Sequence, residues 1–384
     1  MQLFPKKLQE KLNQRSANNA LRSLSVSESR IDFSSNDYLG LAKEGSILEK
    51  ASQMLASHPL KNGSTGSRLL SGNYPLYEEV EGFLADFHET EAAVIFNSGY
   101  DANLGFFSTV PQRGDIIIYD QWVHASIRDG IQMSHAKSYK FLHNDINNLK
   151  AVCKMHTNAL STNAVIYVVT ESVFSMDGDS PDLQTIANYC EEEGFYLVVD
   201  EAHATGVFGA KGAGLLQATG IHAKVFARMV TFGKALGCHG AAILGSASLK
   251  KYLVNYARSY IYTTSLPPHA VATILQAYNF LAFDTGQKRQ QLLLQNIAFF
   301  NKEVQKVGLH SFFIPSNSSI HSCLIPGNKR VKMSAEKLER FGFDVKPILS
   351  PTVPQNSERL RFCLHSFNTE KEISEVLKHL AILI

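Results

Sequence analysis

Residues 196–206 read Tyr-Leu-Val-Val-Asp-Glu-Ala-His-Ala-Thr-Gly, an apolar run that stops abruptly at an acid and a histidine. One crossover unit downstream, residues 227–237 read Ala-Arg-Met-Val-Thr-Phe-Gly-Lys-Ala-Leu-Gly, a second apolar run that delivers Thr231 and a lysine between glycines. Both runs are short and rich in apolar residues, which reads as strand rather than helix. Each ends in polar residues at its carboxyl end. In an open α/β sheet that is where ligands bind.

The same rhythm extends outward in both directions. Ala92–Phe96 runs into Asn-Ser-Gly-Tyr, Asp115–Asp120 into Gln-Trp-Val-His, and Ala164–Glu171 into Ser-Val-Phe-Ser. Phe195–Asp200 and Ala227–Phe232 follow, and Ala-Ala-Ile-Leu-Gly-Ser from Ala241 closes the series. Apolar runs separated by helix-length segments predict an α/β fold with a mostly parallel sheet covered on both faces. Upstream, an amphipathic helix carrying Leu8 and Leu12 is expected within the first ~25 residues. A short strand broken by Ser34-Ser35-Asn36-Asp37 follows, then a glycine- and serine-rich loop from Lys61 to Pro75 and a helix. The pattern breaks around Tyr262–Pro268. A long helical segment from His269 to about Val307 is expected next, then a smaller α+β region with a helix over 334–342 and a strand at Arg359-Leu360-Arg361-Phe362. A final helix opens with the capping-box spacing Thr369/Glu372 and carries Ile373, Val376, Leu377 and Leu380 on one face. The implied division is an N-terminal segment 1–45, a large domain 46–268 and a small domain 269–384.

Composition narrows the function. The chain has 384 residues, 45% of them hydrophobic and 19% charged, with a net charge of +2 and no dense basic stripe. That argues against nucleic-acid binding as the main activity. Five cysteines are widely spaced, odd in number and without a C-x-x-C pair, which reads as reduced thiols rather than disulfides or a zinc site. The first residues are charged without an apolar core, and no apolar run approaches bilayer length, so a soluble cytoplasmic enzyme is expected. The loop Asn62–Asn73 lacks the spacing of a nucleotide-binding P-loop, and H-E-x-x-H and G-x-S-x-G are absent.

A carboxylate at a buried strand end needs a partner to offset its desolvation. Paired with a lysine on a glycine-lined turn, it is what an enzyme uses to hold pyridoxal phosphate. The acid keeps the pyridine nitrogen protonated and the lysine amine forms the imine. The bland alternative is two ordinary strand ends with a solvated lysine.

Ser-Ser-Asn-Asp-Tyr-Leu-Gly-Leu (34–41), Asp-Glu-Ala-His-Ala-Thr-Gly (200–206), Thr-Phe-Gly-Lys-Ala-Leu-Gly (231–237), Pro-Thr-Val-Pro (351–354) and Arg-Leu-Arg-Phe (359–362) occur in that order. As an ordered set they resemble the α-oxoamine synthases, pyridoxal-phosphate enzymes of the aspartate-aminotransferase fold type, over nearly the whole chain. The resemblance is nearest to the branch that serves biotin synthesis. It implies that Lys234 carries the cofactor and then removes the α-proton of an amino acid, that Asp200 pairs with the ring nitrogen, and that His203 bonds the phenolic oxygen. By the same likeness His124 stacks on the cofactor face and Ser175 meets a cofactor oxygen. Ser98, Gly99 and Tyr100 offer amides to the phosphate at a helix N-terminus, with the Thr231 hydroxyl beside them. Thr263 and Thr264 would reach the phosphate from a partner subunit, implying a homodimer with shared sites. Asn36 and Arg361 would hold the amino-acid carboxylate, Arg361 through its planar fork, with Arg359 expected on the opposite strand face. Arg22 would meet the acyl carboxylate or CoA.

The reaction so implied is a decarboxylative condensation of an amino acid, L-alanine, with a pimeloyl thioester of CoA or of a carrier protein. Glycine with acetyl-CoA, or serine with a long-chain acyl-CoA, would use the same residues. An aminotransferase would share Asp200 and Lys234 but release no CoA, and a non-catalytic partner subunit would be expected to lack Lys234. Two stretches depart from the family pattern: Leu349 stands where an arginine is common, and Leu364-His365-Ser366-Phe367-Asn368 replaces a small-residue run.

Overall fold

Six apolar runs and one exposed edge strand assemble into one sheet, the side chains of the runs alternating between two cores. In a computed structural model, which describes residues 4–22, 24, 30–57, 62–157 and 164–384, the strands are β1 (Ala92–Phe96), β2 (Ile116–Asp120), β3 (Lys137–Phe141), β4 (Ile166–Glu171), β5 (Tyr196–Asp200), β6 (Ala227–Thr231) and β7 (Ala241–Gly245). Lys61 and parts of the first ~25 residues lie outside the described residues. The spatial order is β1-β7-β6-β5-β4-β2-β3. Ile117, Val169 and Val198 pack into one core, whereas Ile116, Ile118, Val168 and Val199 pack into the other. That period of two is why the runs read as continuously apolar.

Two features of the sheet were not legible as runs. β3, Lys-Ser-Tyr-Lys-Phe, is mostly exposed and sits at the end of the order, where edge lysines discourage further pairing. β7 is antiparallel to both β6 and β1, whereas β6, β5, β4, β2 and β3 run parallel.

The chain divides into two compact units, the larger comprising residues 36–175 and 180–292 and the smaller residues 1–35, 176–179 and 293–384. The division drawn from sequence breaks instead at 45/46 and 268/269. The helix Pro268–Ala282 stays with the larger unit: the Tyr74 and Tyr77 hydroxyls donate to Leu266 O just before it, and Cys238 Sγ lies 3.6 Å from Thr273 O within it. The helical segment expected from His269 to Val307 is two helices, Pro268–Ala282 and Asp284–Lys306, interrupted at Phe283, whose backbone is extended.

In the smaller unit β8 (Ile320–Leu324), β9 (Lys346–Ile348) and β10 (Arg359–Cys363) form an antiparallel sheet with β10 central. The closing helix Glu370–Leu383 has the expected capping box: Glu372 N donates to Thr369 Oγ1 at 3.2 Å and Thr369 N to Glu372 Oε2 at 2.7 Å. It buries Ile373, Val376, Leu377 and Leu380. The N-terminal helix Lys6–Ala17 forms but buries none of its residues. Among the described residues no helix is long and apolar enough to cross a membrane, and the five cysteines are free thiols.

Candidate active site

The carboxyl ends of β4 and β5 bring two acids into register, Glu171 opposite Asp200. Asp200 accepts from Ala202 N at 2.8 Å through Oδ1 and from Asn103 Nδ2 at 2.8 Å through Oδ2. Asn103 lies on the helix Gly99–Phe107 and also donates to Ser126 Oγ at 3.1 Å. Ser126 in turn lies 2.7 Å from His124 Nδ1. His124 caps the helix Ala125–Met133 by accepting from Ser126 N. Its own N–H donates to Glu171 Oε1 at 2.5 Å. Burial lowers the His124 pKa most, Asp200 opposes that shift, and Lys234 adds to it, so the ring is neutral at physiological pH. Burial and then the Asp200 charge push Glu171 well above the usual carboxyl range.

A second chain of polar groups starts at Lys234. Its Nζ lies 2.7 Å from His203 Nε2, His203 Nδ1 lies 2.7 Å from the Tyr38 hydroxyl, and that hydroxyl donates to Asn36 Oδ1 at 3.1 Å. Lys234 is presented by residues 232–240, which leave the sheet after β6 and return as β7. Phe232 N donates to Gly240 O, Cys238 N to Phe232 O and Gly237 N to Lys234 O. Gly237 has φ +63°, and a Cβ there would stand 2.1 Å from Ala42 N. Only glycine allows the lysine turn to lie against the segment that carries Asn36 and Tyr38. Lys234 acts electrostatically on both His124 and Glu171, as does Asp200, so the two chains of polar groups meet in one region.

At the end of β1, Ser98 caps the helix Gly99–Phe107, its Oγ accepting from Asp101 N at 3.0 Å. The amides of Gly99 and Tyr100 are among those with no carbonyl one turn back to bond. A Cβ on Gly99 would lie 3.8 Å from Thr231 Oγ1, which places that hydroxyl beside the helix start. Asn97 Nδ2 donates to Thr263 Oγ1 at 3.2 Å and to Thr264 O at 2.6 Å, holding both threonines near the same terminus. Ser175 sits in the turn after β4. The larger unit therefore contains Asn36, Ser98, Gly99, Tyr100, His124, Ser175, Asp200, His203, Thr231, Lys234, Thr263 and Thr264. Arg22 and Arg361 belong to the smaller one. There Arg22 Nη2 donates to Thr352 Oγ1 at 3.1 Å, and Arg361, buried on β10, has Nη1 2.9 Å from Cys363 Sγ.

The expected separation of the two arginines is wrong. Arg359 and Arg361 are two positions apart on β10 and share a face, because side chains alternate at every residue. What distinguishes them is pairing: the Arg359 guanidinium is engaged by the buried Asp177 carboxylate. In the departing stretch, His365 lies 3.1 Å from both Ser35 Oγ and Asn368 Oδ1, so that segment is pinned by polar contacts within its unit.

Sequence reading missed Asn103, Tyr38, Glu171 and Glu201. Glu201 Oε1 accepts from Leu215 N and Leu216 N, and its Oε2 receives Arg228 Nε at 3.0 Å and Nη2 at 2.5 Å, a buried pair that braces the turn after β5. Asn103 did carry a signal, being a polar residue inside the apolar stripe of Ala102, Phe106 and Phe107.

The donor set fits pyridoxal phosphate. It comprises a lysine amine, a buried carboxylate able to meet a protonated ring nitrogen, a neutral imidazole, and amides with a hydroxyl at a helix N-terminus for the phosphate. Asn103 Oδ1 is buried without a partner, a polar atom left over next to Asp200. Among the described residues no cluster of acids, histidines and cysteines could hold a metal ion.

Residues 28–380 match the family model for class I and II aminotransferases. The 8-amino-7-oxononanoate synthase of Emericella nidulans is 39% identical over 397 residues, spanning 97% of this chain and 94% of that protein. Serine palmitoyltransferase from S. paucimobilis, solved with a bound PLP–myriocin aldimine, has the same fold with a TM-score of 0.87 at 25% identity, covering 98% of this chain and 96% of that one. 8-Amino-7-oxononanoate synthase from Francisella tularensis gives a TM-score of 0.77 at 29% identity, covering 93% and 98%.

Proposed function

From the premise that the chain belongs to the class I and II aminotransferase family, in its α-oxoamine synthase branch, we propose that it condenses L-alanine with a pimeloyl thioester. The products are 8-amino-7-oxononanoate, the free thiol carrier and CO₂. Pyridoxal phosphate, when bound, supplies a sink for the electrons left on the amino acid's Cα. Lys234 removes the Cα proton, and His203, 2.7 Å away, is the nearby group that can share it. Asp200 holds a proton on the ring nitrogen, supported by Asn103 and Ala202 N. The neutral His124 ring offers a flat face rather than a competing positive charge. Ser98, Gly99, Tyr100 and Thr231 hold the phosphate, and Ser175 an oxygen of the cofactor. Asn36, Arg361 and Arg22 are the proposed partners of substrate carboxylates, the guanidinium fork matching a carboxylate in two parallel bonds. A homodimer, in which Thr263 and Thr264 complete the partner's phosphate site, and a cytoplasmic location belong to the same reading.

The observation that carries it is the Lys234–His203 contact, in the same region as Asp200, on a chain 39% identical along 97% of its length to an 8-amino-7-oxononanoate synthase. A serine-dependent condensation is the second reading, favoured by the TM-score of 0.87 to a serine palmitoyltransferase. The test is thiol release from pimeloyl-CoA by the cofactor-loaded protein with L-alanine, glycine or L-serine. Release with alanine alone supports the first reading, and release with serine and a long-chain acyl-CoA the second. Absence of cofactor absorbance that depends on Lys234 overturns both.

A further inference from the structure

One face of β10 is apolar: Leu360 and Phe362 are fully buried, Phe362 against the rings of Phe33 and Phe300. Side chains alternate along a strand, so Arg359 and Arg361 stand on the other face, about 7 Å apart. Directly opposite Arg361 lie Lys346 on β9 and Ser322 on β8, and cross-strand partners share a face. Three cations therefore crowd one side of a three-stranded sheet. Lys346 Nζ lies 2.6 Å from Asp344 Oδ1. Arg359 is met by Asp177, with both side chains no more than 5% exposed, and its Nε donates to Ser357 O at 2.9 Å.

Asp177 reaches the sheet on a short strap, Met176–Asp179, which belongs to the smaller unit although the chain on either side of it does not. The strap lies on the charged face: Ser322 Oγ donates to Met176 O at 2.5 Å, and Ser316 Oγ donates to Gly178 O at 2.8 Å. A Cβ on Gly178 would stand 2.1 Å from Ile320 O, so the strap rests on the backbone of β8 itself.

We propose that Asp177 is a specificity-determining residue: by neutralising Arg359 it withdraws one positive charge from this face, so that the amino acid taken there carries a single carboxylate. A guanidinium stays charged, so only an acid cancels it. With Asp177 in place, a second carboxylate on the substrate would meet a pair that is already neutral and would lose its water for nothing. Without Asp177, Arg359 and Arg361 would offer two forks on one face, the pattern that suits a dicarboxylic amino acid such as L-aspartate. The inference rests on Arg361 holding the amino-acid carboxylate, as proposed above.

The test is the dissociation constants of L-alanine and L-aspartate, read from the absorbance change each causes in the cofactor-loaded, full-length protein. Wild type is expected to favour alanine, and a preference for aspartate overturns the proposal outright. Asp177→Asn keeps the shape and an acceptor for Arg359 but removes the charge. It should tighten aspartate on the order of tenfold, the effect of one unit charge about 7 Å away in a partly buried setting, and alanine by less. Arg359→Gln leaves the acid's charge instead and should weaken alanine, and the two substitutions together should restore it. A bracing role alone would weaken binding in both single variants, so a shared direction, or no change in either, overturns the proposal. If thermal melts show Asp177→Asn to be unfolded, Arg359→Gln and the double variant are read instead. Alanine binding that Arg359→Gln does not weaken, or that the second substitution does not restore, overturns it as well. Arg361→Gln separates this proposal from the reading beneath it. If alanine binds that variant as it binds wild type, the carboxylate role of Arg361 falls and this proposal with it. If alanine binding fails there while Asp177→Asn changes nothing, this proposal falls alone.

Discussion

Glu171 and Asp200 end adjacent parallel strands in register, so two buried carboxyl groups stand side by side at one end of the sheet. They cannot both ionise cheaply in that setting. Burial and then the Asp200 charge raise Glu171 well above the usual carboxyl range, while Asp200 accepts from Asn103 and Ala202 N.

The sign of the resulting pH dependence follows. A carboxyl raised in the folded state costs stability once pH climbs past its unfolded value near 4.5, and the cost grows until the folded value is reached. Glu171→Gln, which cannot ionise, should therefore gain on wild type as pH rises above about 4.5, measured as the difference in Tm. Glu171→Ala removes the acceptor of the His124 N–H and should lose about 1–3 kcal/mol in urea denaturation.

Lys234→Ala should lower thiol release on the order of 10²–10⁴-fold and remove the visible absorbance that depends on a lysine–cofactor bond. Asp200→Asn keeps an acceptor for Asn103 but no charge for the ring nitrogen. It should retain cofactor and lose turnover, a separation that absorbance and thiol release resolve together.

Glu201 and Arg228 are a buried ion pair whose remaining donors and acceptors are also bonded. Removing either partner alone should cost about 3–5 kcal/mol, because the other charge is left buried. Removing both should cost less than the sum, and a double-mutant cycle by urea denaturation measures the difference.

His321 is fully buried on β8 beside Phe300, and burial pulls its pKa down to about 3. The unfolded chain takes up the proton near pH 6.5 while the folded chain does not, so stability is lost as pH falls below that value. Each unit below it costs about 1.4 kcal/mol. His321→Phe should flatten the Tm profile between pH 6.5 and pH 4.5, checked by thermal melts across that range.

The strand ends were readable because apolar runs stop where reactive side chains begin, and Asp200, His203 and Lys234 stand at such stops. β3 was not, since an exposed edge strand has no apolar run to reveal it. The antiparallel course of β7 was not, since direction is a property of pairing and leaves no mark on composition. Tyr38 and Asn103 escaped because a buried polar group is defined by what closes over it. Tyr38 meets His203 from a distant part of the chain, and Asn103 meets Asp200 from another helix.

β7 runs against its neighbours, and its first residue, Ala241, pairs with Thr231 on one side and Phe96 on the other. The stretch 232–240 must therefore depart, offer up its lysine and come back to a fixed partner on each flank. Loops elsewhere on a protein surface absorb insertions. Here one added or deleted residue would turn β7 over, sending Ile243 to the opposite core. The length of this segment is thus as tightly held as the identity of any residue within it, and a deletion scan across it should find no silent position.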